Sequence, residues 1–163
     1  MQAVILCGGF GSRLKPITDS IPKPLAPVNG IPFLKVLIDQ LKKQGVNKIL
    51  LLTGYMSDQI EKFIANYKDD QIQLSTNKGC IDWETGKRIW KAQDSIEEEF
   101  MLLYSDNYAN CKIDEIVQTR KQENSTICML IQPKVKGNIQ IKSDIQGQCY
   151  DNTRAGNYQY VEI

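Results

Sequence analysis

Residues 3–34 read AVILCGGFGSRLKPITDSIPKPLAPVNGIPFL, and the changes of pattern along this stretch decide the architecture. Ala3-Val-Ile-Leu-Cys7 is a short continuous apolar run, the mark of a strand buried on both faces. The run breaks at Gly8, and the next periodic pattern starts only at Phe33. There Leu34, Leu37, Ile38 and Leu41 trace one face of a helix that Gly45 stops. The alternation continues downstream. Lys48-Ile-Leu-Leu-Leu-Thr53 predicts a second buried strand, and Ile60, Phe63, Ile64 and Tyr67 predict a helix with Asp58 as N-cap and Glu61 as its partner. Ile72 and Leu74 suggest a short half-exposed strand, and Thr85 to Gln93 a helix with a thin stripe at Ile89 and Ala92. Phe100-Met-Leu-Leu-Tyr104 predicts another buried strand. Ile113, Ile116 and Val117 indicate a helix, and Thr126 to Ile131 a further strand. From Gly137 the pattern changes: Ile139, Ile141 and Ile145, with Asp144 and Gly147 as turn residues, predict a β-hairpin. Apolar strands separated by amphipathic helices imply an α/β fold, a three-layer sandwich with a mostly parallel sheet covered on both faces. Ligands in such sheets bind outside the carboxyl ends of the strands.

Composition narrows the chemistry. The 163 residues suit one domain, and a net charge of +1 without any long Lys/Arg block argues against a nucleic-acid surface. No apolar run reaches the roughly 18 residues a membrane span needs, and the N-terminus lacks the features of a signal peptide, so the cytoplasm is the expected compartment. The five cysteines are odd in number and form no CxxC pair, against a disulfide framework or structural zinc. Cys7, Cys128 and Cys149 lie in apolar runs and are expected to be buried and reduced. The chain has no histidine, which excludes Ser-His-Asp and Cys-His catalysis and the HExxH zinc site. Carboxylates, cations, backbone amides and a borrowed metal remain. The pattern leaves a homo-oligomer open.

The connection from Gly8 to Pro32 is far longer than the 2–6 residues usual between a strand and its helix, the mark of a functional or a disordered loop. Five of the six prolines stiffen it, and Leu14, Ile17, Ile21, Leu25 and Val28 recur along it, so it is expected to be rigid and packed. Gly8, Gly9 and Gly11 let a ligand approach the backbone N–H groups, and such a turn after a strand forms an anion nest. Arg13 follows closely, and Lys23 sits between two prolines that keep its backbone extended. Two cations beside a glycine nest suit a polyphosphate; a unit-charge pair about 4 Å apart contributes about 4 kcal/mol at an effective dielectric of about 20. The dinucleotide pattern GxGxxG fails at Leu14, and the P-loop pattern GxxxxGK[ST] is absent.

The same stretch resembles, without a gap from Gly8 to Pro32, the GGxGxRLxPxTxxxPKPxxPVxGxP signature of the sugar-1-phosphate nucleotidylyltransferases. The resemblance implies a Rossmann-like nucleotide-binding fold, Mg²⁺ dependence, and transfer of a nucleotidyl group from a nucleoside triphosphate to a sugar 1-phosphate. It also implies roles for single residues. Gly8, Gly9, Gly11 and Ser12 would cradle the nucleotide, Arg13 would grip the triphosphate, and Lys23 would contact the phosphates at the reacting centre. Trp83-Glu-Thr-Gly-Lys-Arg-Ile89 is similar to the family's LGTGGAI or LETGGGI segment, which borders the base. Glu84, Thr85 and Gly86 fit it, whereas Lys87 and Arg88 replace glycine or small residues. That pair either adds charge for an unusual acceptor or is simply exposed in a first helical turn. Phe100 to Asn107 resembles the apolar strand whose terminal Asp binds the metal, which assigns Asp106. The chain stops in what reads as a strand at Tyr158 to Ile163, where relatives continue for several tens of residues with their second metal-binding Asp. A single nucleotidyltransferase domain, truncated at its C-terminal end, is therefore expected. Glu162 and Asp151 are candidate sugar contacts.

These roles imply in-line attack of an anionic phosphate oxygen on the α-phosphorus, which needs no general base and relies on positioning and charge neutralisation. The N-terminal and Thr-Gly segments look most like guanylyltransferases acting on mannose or heptose 1-phosphate. Three alternatives stand beside this reading: a cytidylyltransferase for another phosphorylated metabolite such as phosphocholine, a nucleotide-sensing subunit that binds without turnover, and a general Rossmann dehydrogenase, whose fingerprint is absent.

Overall fold

The computed structural model describes residues 1–133 and 158–161. They fall into two compact units, Met1–Tyr108 and Ala109–Ile163.

The first unit is built on a four-stranded parallel sheet. Strand β1 (Gln2–Cys7) is flanked by β4 (Lys48–Thr53) and β6 (Phe100–Tyr104), and β5 (Gln73–Lys78) lies outside β4. Two of the three continuous apolar runs became the central strands: every residue of β1 is buried, as are Ile49 to Thr53 of β4. Strand β6, expected to be buried, instead lies at the edge of the described sheet with only Met101 buried. Strand β5 takes the sheet edge and is half-exposed, as its weaker pattern predicted. Helix α1 (Phe33–Lys43) joins β1 to β4, α2 (Ser57–Asn66) joins β4 to β5, and α3 (Thr85–Lys91) lies in the return from β5 to β6. The chain thus winds outward from β1 to the β5 edge, then crosses back past β1 to β6. With right-handed crossovers, α1 and α2 fall on one face and α3 on the other. The packing agrees. Val4, Leu6, Leu50 and Leu52 form one core cluster with Ala92, and Ile89 of α3 packs against it. By strand alternation Ile5, Ile49 and Leu51 point to the opposite face. They are as fully buried as the stripe Leu34, Leu37, Ile38 and Leu41 of α1 and Ile60 of α2.

Two local expectations are corrected. Asp58 does not cap α2: the N-cap is Met56, in the left-handed region at φ 51°, without a side-chain cap. Asp58 lies inside the first turn, where a carboxylate still complements the helix dipole. The long connection is not one irregular loop. It holds 3-10 turns at Ser12–Leu14, Ile17–Asp19 and Lys23–Leu25, so Lys23 is helical and not extended as its flanking prolines suggested, then a small hairpin of β2 (Pro27–Val28) and β3 (Ile31–Pro32). Asn29 and Gly30 turn that hairpin with positive φ at both positions, the type I′ geometry. Its apolar residues are less packed than expected, since Ile17 and Val28 are 44% and 50% exposed.

The second unit contains α4 (Ile113–Gln122) and an antiparallel pair, β7 (Leu130–Pro133) with β8 (Tyr158–Val161). The strand expected over Thr126 to Ile131 begins only at Leu130. The expected hairpin beyond Gly137, Cys149 and the candidates Asp151 and Glu162 lie outside the described residues. Cys7 is buried as expected, whereas Cys128 is only half-buried. Among the described residues no helix is long and apolar enough to cross a membrane.

Candidate functional site

The carboxyl ends of β1 and β6 lie side by side, because the register pairs Leu6 with Tyr104 and the Ser105 N–H donates to the Leu6 carbonyl at 3.3 Å. The chain leaves β1 toward β4 on one side, while β6 arrives on the other. This is the point of a doubly wound sheet where a crevice opens. A cleft of about 330 Å³ lies there, lined by the turn after β1, the Lys23 turn, the start of α3 and the end of β6.

Each segment is fixed locally. Gly11 has φ 64°, and a Cβ on it would come within 2.9 Å of both Lys23 Cβ and Thr18 Cγ2. Only glycine fits, and the close approach seats the Lys23 turn against the glycine turn. The Gly11 carbonyl accepts from Thr18 Oγ1 at 3.0 Å and from the Leu14 N–H at 2.9 Å. Tyr55, just past β4, donates its hydroxyl to the Thr18 carbonyl at 3.2 Å and places its ring 5.3 Å from that of Phe10. Pro22 and Pro24 on either side of Lys23 are buried. The turn is therefore braced, as the proline content predicted, by hydrogen bonds and proline packing more than by its aliphatic side chains.

The cleft brings together Gly8, Gly9, Gly11, Ser12, Arg13, Lys23, Thr85 and Asp106. Gly86, in the exposed first turn of α3, is not among its lining residues. Lys23 Nζ donates to Asp106 Oδ2, and these two side chains are 27% and 32% exposed. The residue expected to touch phosphate and the one expected to bind metal are thus direct neighbours. Cys7, beneath the glycine turn, accompanies Ser105 in the lining; burial pushes its thiol up to about 12, against a smaller opposing effect of a hydrogen bond with Ser105. It is a packed thiol, not a nucleophile.

The sequence reading missed the role of Arg88. It is neither a surface first-turn residue nor turned toward an acceptor in solvent: it is 5% exposed and spends its donors on backbone carbonyls of Thr53, Cys80 and Trp83. Burial lowers its pKa from the usual guanidinium value. A signal was present in the glycines that follow β1, β4 and β5, at Gly8, Gly54 and Gly79. A Cβ on any of the three would come under 3.0 Å from the Arg88 guanidinium. Lys87 does stay exposed, with Nζ 5.8 Å from the centre of the Trp83 ring.

Among the described residues no group of three or more His, Cys, Asp or Glu side chains could hold a metal. Two carboxylate residues, Asp106 and Glu84, line the cleft, which suits Mg²⁺, commonly held by one or two carboxylates plus the phosphates of a substrate.

A family model described as nucleotidyl transferase matches residues 2–138. A D-glycero-alpha-D-manno-heptose 1-phosphate guanylyltransferase of Campylobacter jejuni is 34% identical over 135 residues, covering 80% of this chain and 57% of the relative. A probable glucose-1-phosphate cytidylyltransferase of Bacillus subtilis is 33% identical over 138 residues, covering 72% and 54%. The chain therefore spans a little over half the length of these relatives. Among solved structures, HddC from Yersinia pseudotuberculosis complexed with GMP-PN superposes with a TM-score of 0.72 at 24% identity, over 99% of this chain and 73% of that one, a likeness of fold.

Proposed function

The chain belongs to the nucleotidyl transferase family, and from that premise we propose that it carries the nucleotide-binding part of an enzyme that joins a nucleoside triphosphate to a sugar 1-phosphate and releases pyrophosphate. The observation that carries the reading is the convergence of Arg13, Lys23 and Asp106 with the glycine turn on one cleft at the carboxyl end of a parallel sheet. Gly8, Gly9 and Gly11 offer backbone N–H groups to the phosphates, and Arg13 neutralises charge on the departing pyrophosphate. Lys23 exchanges its partner Asp106 for a phosphate oxygen when the triphosphate enters. The attacking sugar phosphate is already anionic, so no residue has to remove a proton, in keeping with a chain that lacks histidine.

Mg²⁺ would be held by Asp106 together with the triphosphate, and when bound it supplies Lewis-acid neutralisation of phosphate charge. The relatives transfer guanylyl and cytidylyl groups. Guanosine triphosphate with a mannose or heptose 1-phosphate is the preferred pair for this chain, with cytidylyl transfer second and nucleotide sensing without turnover third. The setting that fits is cytoplasmic nucleotide-sugar synthesis for surface polysaccharide, by a single nucleotidyltransferase domain able to self-associate. The test is pyrophosphate release over a panel of four triphosphates and several sugar 1-phosphates with Mg²⁺. Release with one guanosine pair supports the proposal; tight triphosphate binding with no release from any acceptor overturns it in favour of sensing.

A further inference from the structure

Arg88 holds a charged guanidinium in the interior, 5% exposed, with three donations to main-chain carbonyls. Among the described residues no carboxylate pairs with it. A buried cation is costly unless its donors are met, so an arrangement this specific has a structural consequence. Its acceptors come from three places: Thr53 at the end of β4, Cys80 just past β5, and Trp83 in the approach to α3. The planar fork of a guanidinium can satisfy such divergent acceptors at once, which a lysine ammonium on a flexible stem does poorly.

The neighbouring glycines complete the pattern. The residue directly after each of the adjacent strands β1, β4 and β5 is glycine: Gly8, Gly54 and Gly79. An added Cβ would stand 2.3 Å from Arg88 Cζ at Gly8, 2.9 Å from Nη1 at Gly54 and 2.7 Å from Nη1 at Gly79. At Gly8 the three nearest atoms are all in the Arg88 guanidinium. The side chain fills the space that three missing side chains leave beside the first residue of the turn, and although nearly buried it is itself among the residues lining the cleft.

We propose that Arg88 is a positioning residue that sets the place of the Gly8–Gly9 backbone for the triphosphate, by wedging beneath Gly8 and fastening the ends of β4 and β5 to the start of α3. The proposal rests on the transferase reading for its ligand, but its packing claim stands apart from it. The lysine and glycine side of the cleft is braced by Gly11, Thr18 and Tyr55; Arg88 does the same for the side bordering α3. Because preorganised geometry is worth much of a bound ligand's reactivity, a displaced cradle is expected to cost about 10- to 100-fold.

Two measurements on the full chain test this. In the first, steady-state kinetics compare the wild type with Arg88→Lys and Arg88→Ala. The expected result is a KM for the triphosphate raised about tenfold or more in both variants, with the KM for the sugar 1-phosphate changed far less. Arg88→Lys keeps the charge, so a lysine variant with wild-type KM overturns the proposal. In the second, thermal unfolding follows a cycle of Gly8→Ala, Arg88→Ala and the double variant. The methyl at Gly8 is expected to lower Tm clearly in the wild type and much less once Arg88 is gone. Losses that simply add overturn the wedge. A wild type that binds no triphosphate defeats the transferase reading, and the thermal cycle then still decides the contact between Arg88 and Gly8.

Discussion

Lys23 Nζ hydrogen-bonds Asp106 Oδ2 although 83 positions separate them in the chain. The contact exists because the turn after β1 folds its Lys23 segment back against Gly11, while β6 pairs with β1 and delivers Asp106 just beyond its end. Each residue keeps the other's charge satisfied at the cleft, and both are exposed enough to exchange partners.

Removing a charge from this cleft, at Asp106 or at Arg13, should therefore act on turnover. Asp106→Ala is expected to slow pyrophosphate release about 10²-fold or more, and Arg13→Ala by a similar factor, as for loss of one preorganised electrostatic contact. Initial rates at saturating triphosphate and Mg²⁺ check this. An Asp106→Ala protein with wild-type rates contradicts the metal assignment.

The core should respond to truncation while the hairpin tip should not. Leu50, 2% exposed in the central strand β4, belongs to the cluster with Leu6 and Leu52. Leu50→Ala is expected to cost about 2–5 kcal/mol in urea unfolding, since the cavity it leaves cannot collapse between two paired neighbours. Val28→Ala, at a half-exposed position, is expected to stay within about 0.5 kcal/mol of wild type.

Acid should weaken a defined ion pair. The Lys42 side chain and then the Gln71 N–H hold the Asp69 carboxyl below its ordinary value. A depressed folded value means that its contribution is present above the unfolded carboxylate range, near pH 4, and is lost as pH falls through the folded value. Asp69→Asn is therefore expected to be less stable than wild type at pH 7, with the gap closing as the pH falls below about 4. Denaturant midpoints taken across that range read the effect. Glu97, lowered first by its hydrogen bond from Lys48, should behave alike.

Thiol reactivity should divide the cysteines. Cys7 is buried and its thiol is raised to about 12, whereas Cys80 is exposed. Alkylation of the native protein at pH 8, followed by peptide mapping, is expected to label Cys80 rapidly and Cys7 only on unfolding. Labelling of Cys7 at the rate of Cys80 contradicts the packed sheet end.

Much of the fold was legible because its central strands are continuous apolar runs. Ala3 to Cys7 and Lys48 to Thr53 are buried almost throughout, which a covered parallel sheet gives. Phe100 to Tyr104 shows the same apolar pattern yet lies at the edge of the described sheet with only Met101 buried. The stripe of α1 was equally plain. Helix starts were harder: Asp58 has the chemistry of a cap, yet the chain turns at Met56, whose left-handed backbone no side-chain pattern announces. Gly8, Gly9, Gly11, Arg13, Lys23 and Asp106 were readable as candidates from chemistry and motif, and their convergence on one cleft required the sheet register. Arg88 stayed hidden because a buried arginine looks in sequence like any charged residue of a helical turn. Its environment depends on carbonyls up to 35 positions away and on glycines scattered across three strand ends.

The most direct measurement is a titration of the isotopically labelled protein with Mg²⁺ and guanosine triphosphate, followed by backbone amide resonances. The account predicts saturable shifts at Gly8, Gly9 and Gly11, and at Lys23, Thr85 and Asp106, with little change along β5 or the Val28 hairpin. Saturable binding that leaves the glycine turn unmoved and shifts residues elsewhere contradicts it.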